Sequence, residues 1–398
     1  MKIVHLLWSM DLKAGGVVRA LLDLCPLLAE NGHEVVLLTS VDADIPDDWK
    51  GPPAPGRPRR VLLPMPVTGR RYDRAALEII RAELLSADVL HLHGMWMPFN
   101  DQVARLARKL GVPYVVSPHG MLDDWCMAQG ALKKRVYLAL GAGSNLAAAA
   151  AIHCTAEAEL EQAGKWFPRR LGTVVPLPFD LSDYRDPPGP EAARAKFNLG
   201  SPGTPGYLPV VLFLSRLDRK KGLEVLIRSI ARLRDDGLPA RLIIAGGGET
   251  SYVNSLHALV DELNLRDQTT FAGFVSGSPK VSLYQAAEIF CLPSSQENFG
   301  YVVVEALGAG TPVITTRGVA LWPTLERERA ATLVEPTVDA LTPALRSVLT
   351  DHAEARAAAA RGRAWCLTAF EPAKIAAGFN KMYADAARSS RVPAGVRK

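Results

Sequence analysis

The chain has 398 residues, 48% of them hydrophobic and 22% charged. That length usually splits into two cores, and the balance excludes disordered and fibrous classes. The net charge is +5, with 21 basic and 21 acidic residues up to Asp186, so no basic stripe points to a nucleic-acid partner.

From the N-terminus, KIVHLLW reads as a buried strand whose apolar run ends at Asp11, too early for a signal peptide. VVRALLDLCPLLAENG reads as a helix closed by Gly32, and HEVVLLTS as the next strand. DWKGPPAPGRPRR is too rich in proline and glycine for either element and reads as a loop. ADVLHLHG, DQVARLARKLG and PYVVSPHG continue the alternation of strand and helix, which implies a parallel sheet wrapped on both faces. LGAGSNLAAAAAIHC is too short and alanine-rich to span a bilayer. After the linker-like zone DYRDPPGPEAARAKFNLGSPGTPG a second series follows: PVVLFLSRL, LEVLIRSIARLRDDG, ARLIIAGGG, YVNSLHALVDELN, TTFAGF, AEIFCLPSS and PVITT. The tail FEPAKIAAGFNKMYADAARSS spaces Ile375, Phe379 and Met382 as a helix does, and Arg388, Arg391, Arg397 and Lys398 make the C-terminus basic. The expected organisation is therefore α/β: two doubly wound Rossmann-like domains, 1–186 and 187–372, facing across a ligand cleft. A segment 373–398 packs back on the first domain. The five cysteines, Cys25, Cys126, Cys154, Cys291 and Cys366, lie far apart without metal-ligand spacing, which reads as reduced thiols in a cytoplasmic protein.

Two carboxylates in QENFGYVVVEALGAG pose the chemical question. Glu297 falls in the turn after strand IFCLPSS, beside a helix running from about Gly300 to Gly308, where ligands meet strand ends and free N–H groups. Glu305 interrupts the apolar helix, about 8 Å further along its axis. Either the protein itself satisfies it, through backbone or an arginine elsewhere, or it accepts the paired hydroxyls of a vicinal diol such as a ribose. Upstream, FLSRLDRKKGLEVLI sets Arg216, Arg219, Lys220 and Lys221 after a strand. They form either a solvated face or, through Arg216 and Lys221, a clamp on a diphosphate. Gly15 and Gly16 open a helix and permit close approach to phosphate or sugar. AGGGETS lacks the last glycine of a dinucleotide fingerprint, and a tight strand–helix turn explains it equally.

Together these motifs resemble the family-4 retaining glycosyltransferases of GT-B fold. ENFG-x4-EA-x2-AG-x-PV is similar to that family's E-x7-E motif and SRLDRKKGLEVLI to its donor-phosphate motif. The likeness runs from the GG loop to the last helix and is strongest in the second half. By resemblance, Glu305 holds the ribose of a nucleotide-sugar and Glu297 the donor hexose, while Asn298, Phe299 and Gly300 present backbone amides. Arg216 and Lys221 bind the diphosphate, the base lies near Gly273, Phe274 and Val275, and His119 in VVSPHGML stands near the transferred sugar. PHGMLD and TTRGVALWPTLE resemble the bacterial exopolysaccharide, capsule and lipopolysaccharide branch. PLPFD (Pro176 to Asp180) departs from the family's P-N-G-V-D run.

The implied reaction moves a hexose from a UDP- or GDP-sugar to a hydroxyl of a glycan or polyprenyl-linked acceptor, with retention and without a cofactor or divalent metal. Arg216, Lys221 and backbone amides take the metal's part. His91 and His93 form an HxH pair for which the sequence offers no third ligand. His93, Trp96 and Trp125 are assigned to the acceptor side, with Met97, Met121 and Met127 as an apolar groove or as core. Lys133, Lys134 and Arg135 are either a solvated helix face or a contact to anionic lipid at the inner face of the cytoplasmic membrane. A glycosidase is disfavoured, because Glu305 sits too deep in its helix for attack. A nucleotide-sugar epimerase and a non-catalytic nucleotide-sugar binder are the competing readings.

Overall fold

The computed structural model describes residues 1–389, so Arg391, Arg397, Lys398 and the end of the 373–398 segment lie outside the described residues. The chain divides into two compact units. One is Met1–Phe179 together with the segment that begins at Pro372, and the other is Asp180–Glu371.

The first unit holds a parallel sheet of seven strands, β1 (Lys2–Leu6), β2 (Glu34–Thr39), β3 (Arg59–Leu62), β4 (Val89–His93), β5 (Tyr114–Ser117), β6 (Ala151–Cys154) and β7 (Gly172–Val174). Their order is β3-β2-β1-β4-β5-β6-β7. Each central strand is almost wholly buried, as expected of a parallel sheet covered on both faces. The order reverses between β1 and β4, so the loops after these strands flank a topological switch point.

One face of this sheet is unusually polar. His5 on β1, His91 and His93 on β4, Ser117 on β5 and His153 on β6 are all buried. The helix Pro372–Ser389 lies beside them, with Phe379 against His153 at 5.0 Å between ring centroids and Tyr383 against His91 at 5.7 Å. Ile375, Phe379 and Met382 are its buried face. Tyr383 OH pairs with His91 Nδ1 at 2.8 Å and is fully buried. Tyr383→Phe should lower the unfolding free energy of this unit by about 1–3 kcal/mol, the cost of an orphaned buried acceptor. Denaturant titration by circular dichroism measures it.

The second unit repeats the plan with six parallel strands, β8 (Val210–Leu214), β9 (Arg241–Ala245), β10 (Thr269–Gly273), β11 (Ile289–Leu292), β12 (Val313–Thr316) and β13 (Thr332–Val334), in the order β10-β9-β8-β11-β12-β13. Its switch point lies between β8 and β11.

Three expectations need correction. β3 begins at Arg59, inside the stretch read as loop; the strand tolerates this charged start because the Arg59 side chain pairs with Glu83 at 2.8 Å. The boundary falls at Phe179/Asp180 rather than after Asp186. There Tyr184, in the short helix Ser182–Arg185, packs on Gly308 of the second unit. The linker-like zone also contains a second helix, Glu191–Phe197, whose Ala193 N–H donates to Ser282.

Candidate active site

In the second unit, the loops after β8 and β11 flank the switch point and are sewn together. Ser295 N donates to Lys220 O at 2.8 Å, the Ser294 and Ser295 hydroxyls donate to the same carbonyl, and Lys220 Nζ donates to Gln296 Oε1 at 3.0 Å. Gly222, with φ +73°, allows the approach: a Cβ there would strike the Pro293 carbonyl. Glu297 is anchored on its other side, its N–H donating to Gly318 O and its carbonyl accepting from Ala320 N.

This framework brings Lys221 and Glu297 together. Lys221 is 4% exposed, and its Nζ forms an ion pair with Glu297. Burial, aided by Lys220 and Arg216 and opposed by Asp218, lowers the Lys221 ammonium to about 7. A buried cation held near neutrality and paired with one carboxylate is ready for a further anion. Arg216 lies in the same loop, exposed, 3.9 Å from Asp218.

The helix beyond Glu297 spans Tyr301–Ala309, a residue later than expected, with Gly300 at φ +81° as its cap. Phe299 is buried against Tyr301 and Phe370. Asn298 leaves its buried Oδ1 without a partner. Glu305 is not an unsatisfied carboxylate: Lys280 Nζ donates to its Oε1 at 2.7 Å and Tyr284 OH to its Oε2 at 2.9 Å. Both donors come from the helix Ser278–Ala286. Burial and the Glu305 charge push the Tyr284 phenol well up, so it stays a donor. Each carboxylate oxygen keeps a lone pair free, and a vicinal diol needs two such acceptors. Val275 is buried, whereas Phe274 is 84% exposed on this unit. Gly246 and Gly248 abut the carbonyls of Ser215 and Leu217, the tight-turn reading of AGGGETS.

In the first unit, His119 follows β5 in a left-handed conformation, φ +52°. Glu159, itself buried, fixes this turn by accepting Gly120 N at 2.7 Å and Thr155 N at 2.6 Å. Burial raises the Glu159 carboxyl, and those donors oppose the rise. His119 Nε2 meets His93 Nδ1 at 3.0 Å, and His93 Nε2 meets His5 Nδ1 at 3.0 Å. His93 therefore does not line an acceptor surface. It is 2% exposed and lies between two other rings.

The HxH pair does acquire a third imidazole, His5, whose ring nitrogen lies within 4.8 Å of theirs. Hydrogen bookkeeping argues against a metal centre there. His153 Nε2 faces only the Val175 carbonyl, at 2.8 Å, so it carries the proton and Nδ1 accepts from Ser117 Oγ. Ser117 Oγ then accepts from His91 Nε2 at 2.7 Å, leaving His91 Nδ1 to accept from Tyr383 OH. His91 thus commits both nitrogens.

Gly15, at φ +115°, precedes the helix Gly16–Glu30 in the loop region after β1. Trp96, at φ +62°, donates from Nε1 to Met121 O at 3.2 Å and lies under Lys134 at 5.3 Å. With Met97 and Tyr137 it lines a small cavity. Trp125 is 43% exposed, but Met127 is buried and belongs to the core. Sequence reasoning missed His5, Glu159, Lys280 and Tyr284. The only signal was the histidine that ends KIVH, a polar residue inside an apolar strand run; its place opposite His91 comes from the strand register, and the other three carried none.

Two parallel sheets with reversed strand order, each with loops converging at its switch point, define the GT-B class of fold. HepE of Anabaena, solved in complex with UDP and glucose, superposes with a TM-score of 0.75 over 96% of this chain and 99% of its own, at 20% identity. Residues 15–178 match the glycosyl transferase 4-like domain and residues 196–365 the glycosyl transferases group 1. The chain is 32% identical over 294 residues to the D-inositol 3-phosphate glycosyltransferase of Saccharomonospora viridis, 68% of this chain and 66% of the relative. It is 31% identical to that of Nocardia farcinica, over 76% and 69%. The chain belongs to the family-4-like glycosyltransferases.

Proposed function

We propose that the protein transfers a hexose, with retention, from a UDP- or GDP-sugar to a hydroxyl of a glycan or lipid-linked acceptor in bacterial surface polysaccharide synthesis. The observation that carries this reading is the Lys221–Glu297 pair at the switch point of the second sheet. On this reading Lys221 and Arg216 neutralise the departing diphosphate, the amides of Asn298 to Gly300 assist, and Glu297 engages the donor hexose. Glu305, oriented by Lys280 and Tyr284, takes the ribose hydroxyls. Gly15 and Gly16 give close backbone approach, and His119 faces the transferred sugar. With the leaving charge met by fixed cations, no divalent ion is required.

A lipid-linked acceptor is supported by the segment around Lys133. Leu132, Val136 and Leu140 are 76%, 47% and 83% exposed and recur at helical spacing beside exposed Lys133 and Arg135. An apolar stripe with basic flanks suits an anionic bilayer surface. No described helix is long and apolar enough to cross a membrane. The name shared by the relatives in Saccharomonospora and Nocardia supports a second reading, a small phosphorylated cyclitol as acceptor.

Incubation with a panel of labelled UDP- and GDP-sugars, a bacterial lipid extract and inositol phosphate separates these readings. Label entering lipid is expected, whereas label entering only the inositol phosphate would select the second. An isomerised donor or binding without transfer would overturn both. The rate should be unchanged in EDTA; a loss restored only by Mg²⁺ would remove the metal-free mechanism. Glu305→Gln should raise the donor KM about tenfold, while Glu297→Gln should chiefly lower kcat.

A further inference from the structure

The two histidine networks of the first unit differ in one respect. In the path Tyr383–His91–Ser117–His153–Val175 the carbonyl at its end fixes the direction of every hydrogen bond. The file His119–His93–His5 has no such terminus. His119 Nδ1 and His5 Nε2, its two outer nitrogens, are both buried and without a partner.

Proton counting then defines what the file can do. Three neutral imidazoles carry three protons on six nitrogens. Two protons fill the two inter-ring hydrogen bonds, and the third must sit on one outer nitrogen. If His119 Nδ1 bears it, His93 Nδ1–H donates to His119 Nε2 and His5 Nδ1–H donates to His93 Nε2. If His5 Nε2 bears it, both bonds reverse and His119 Nδ1 presents a lone pair. The two arrangements have the same net charge, so neither places a cation in the core.

We propose that His93 and His5 are positioning residues that set the tautomer of His119, so that its Nδ1 meets a hydroxyl of the bound sugar either as donor or as acceptor while the ring stays neutral. The proposal rests on the reading of His119 as a ligand-facing residue of the transferase. The surrounding structure favours it. His119 is only 9% exposed, and Glu159 clamps the turn that carries it, so the ring cannot seek another partner by moving. A neutral imidazole suits a hydroxyl, whereas a phosphate would call for an imidazolium. The arrangement also assigns His5, two hydrogen bonds from His119, an effect at a ring it does not touch.

The test uses the full-length protein labelled with ¹⁵N-histidine, with ring ¹H–¹⁵N correlations recorded near pH 7 and UDP-glucose and GDP-mannose as probes. In the wild type His119 should show the nitrogen shifts of a neutral ring. His5→Leu should displace the His119 ring nitrogens although the two residues are not in contact. His93→Leu should displace them further and lower kcat tenfold to a hundredfold with the donor KM within about threefold. His93→Asn, whose amide reaches the place of Nδ1, should restore much of that kcat. Unchanged His119 resonances in folded His5→Leu and His93→Leu proteins would overturn the proposal, as would an imidazolium signature in the wild type. The resonances report on the file even if no sugar is transferred, so failure of the transferase reading is distinguishable from failure of this one.

Discussion

Acidification from pH 7 to about pH 5 should unfold the first unit while the second remains folded. Burial lowers the imidazoles of His5 and His119 to about 3 and that of His153 to about 4, and it holds His91 and His93 well below the ordinary value. In the unfolded chain each titrates near 6.5. Below that value the unfolded state binds more protons than the folded one, so stability falls as the pH falls and is fully present above about 6.5. Each histidine contributes about 1.4 kcal/mol per pH unit, and the five together about 7 kcal/mol per unit. A domain is ordinarily stable by about 5–15 kcal/mol, so one to two units of acidification suffice. The second unit contains only His257 and His352 of the eight histidines. Thermal unfolding recorded between pH 8 and 4.5 should split into two transitions, the lower one moving steeply with pH. A single transition, or a pH-independent one, contradicts the buried neutral network.

The second large effect concerns Lys221. Lys221→Met should lower kcat by roughly 10²–10³-fold, the cost of removing a fixed charge from a developing oxyanion. The substitution also strands Glu297, so Lys221→Met combined with Glu297→Gln separates the two consequences. The double variant should regain thermal stability and stay inactive. The lysine's lowered value, about 7, adds a pH signature. A bound diphosphate holds the ammonium charged, so nucleotide affinity should weaken as pH rises from 7 towards 9, and Lys221→Met should abolish that slope. Calorimetric titration with UDP and GDP measures it. Wild-type turnover in the single variant would dismiss Lys221 from the reaction.

Much of the fold was legible because fully buried parallel strands read as short apolar runs, and β8, β9, β11 and β12 coincide with such runs. β3, β7 and β13 were not, since they are short outer strands carrying polar or arginine residues that a run-based reading assigns to loops. In the candidate site, Glu297 and Lys221 were recognisable because each lies in the loop that leaves the carboxyl end of a strand. The partners of Glu305 lie on another helix, in positions that look like ordinary surface lysine and core tyrosine. The histidine file was hidden for a different reason. It is assembled from two strands and the loop after a third by register, and register is a tertiary property that one strand's sequence does not contain.

The first unit is discontinuous in sequence, and this governs the order in which its parts can assemble. On the ribosome Met1–Phe179 emerges before the second unit, yet its polar sheet face is covered by Pro372–Ser389, which is synthesised after that unit. Tyr383 meets His91 across 292 positions. The second unit, contiguous from Asp180 to Glu371, can complete its core while that helix is still being translated. Nascent chains therefore spend the interval with a row of imidazoles uncovered, and a stop codon before Pro372 would make that exposure permanent.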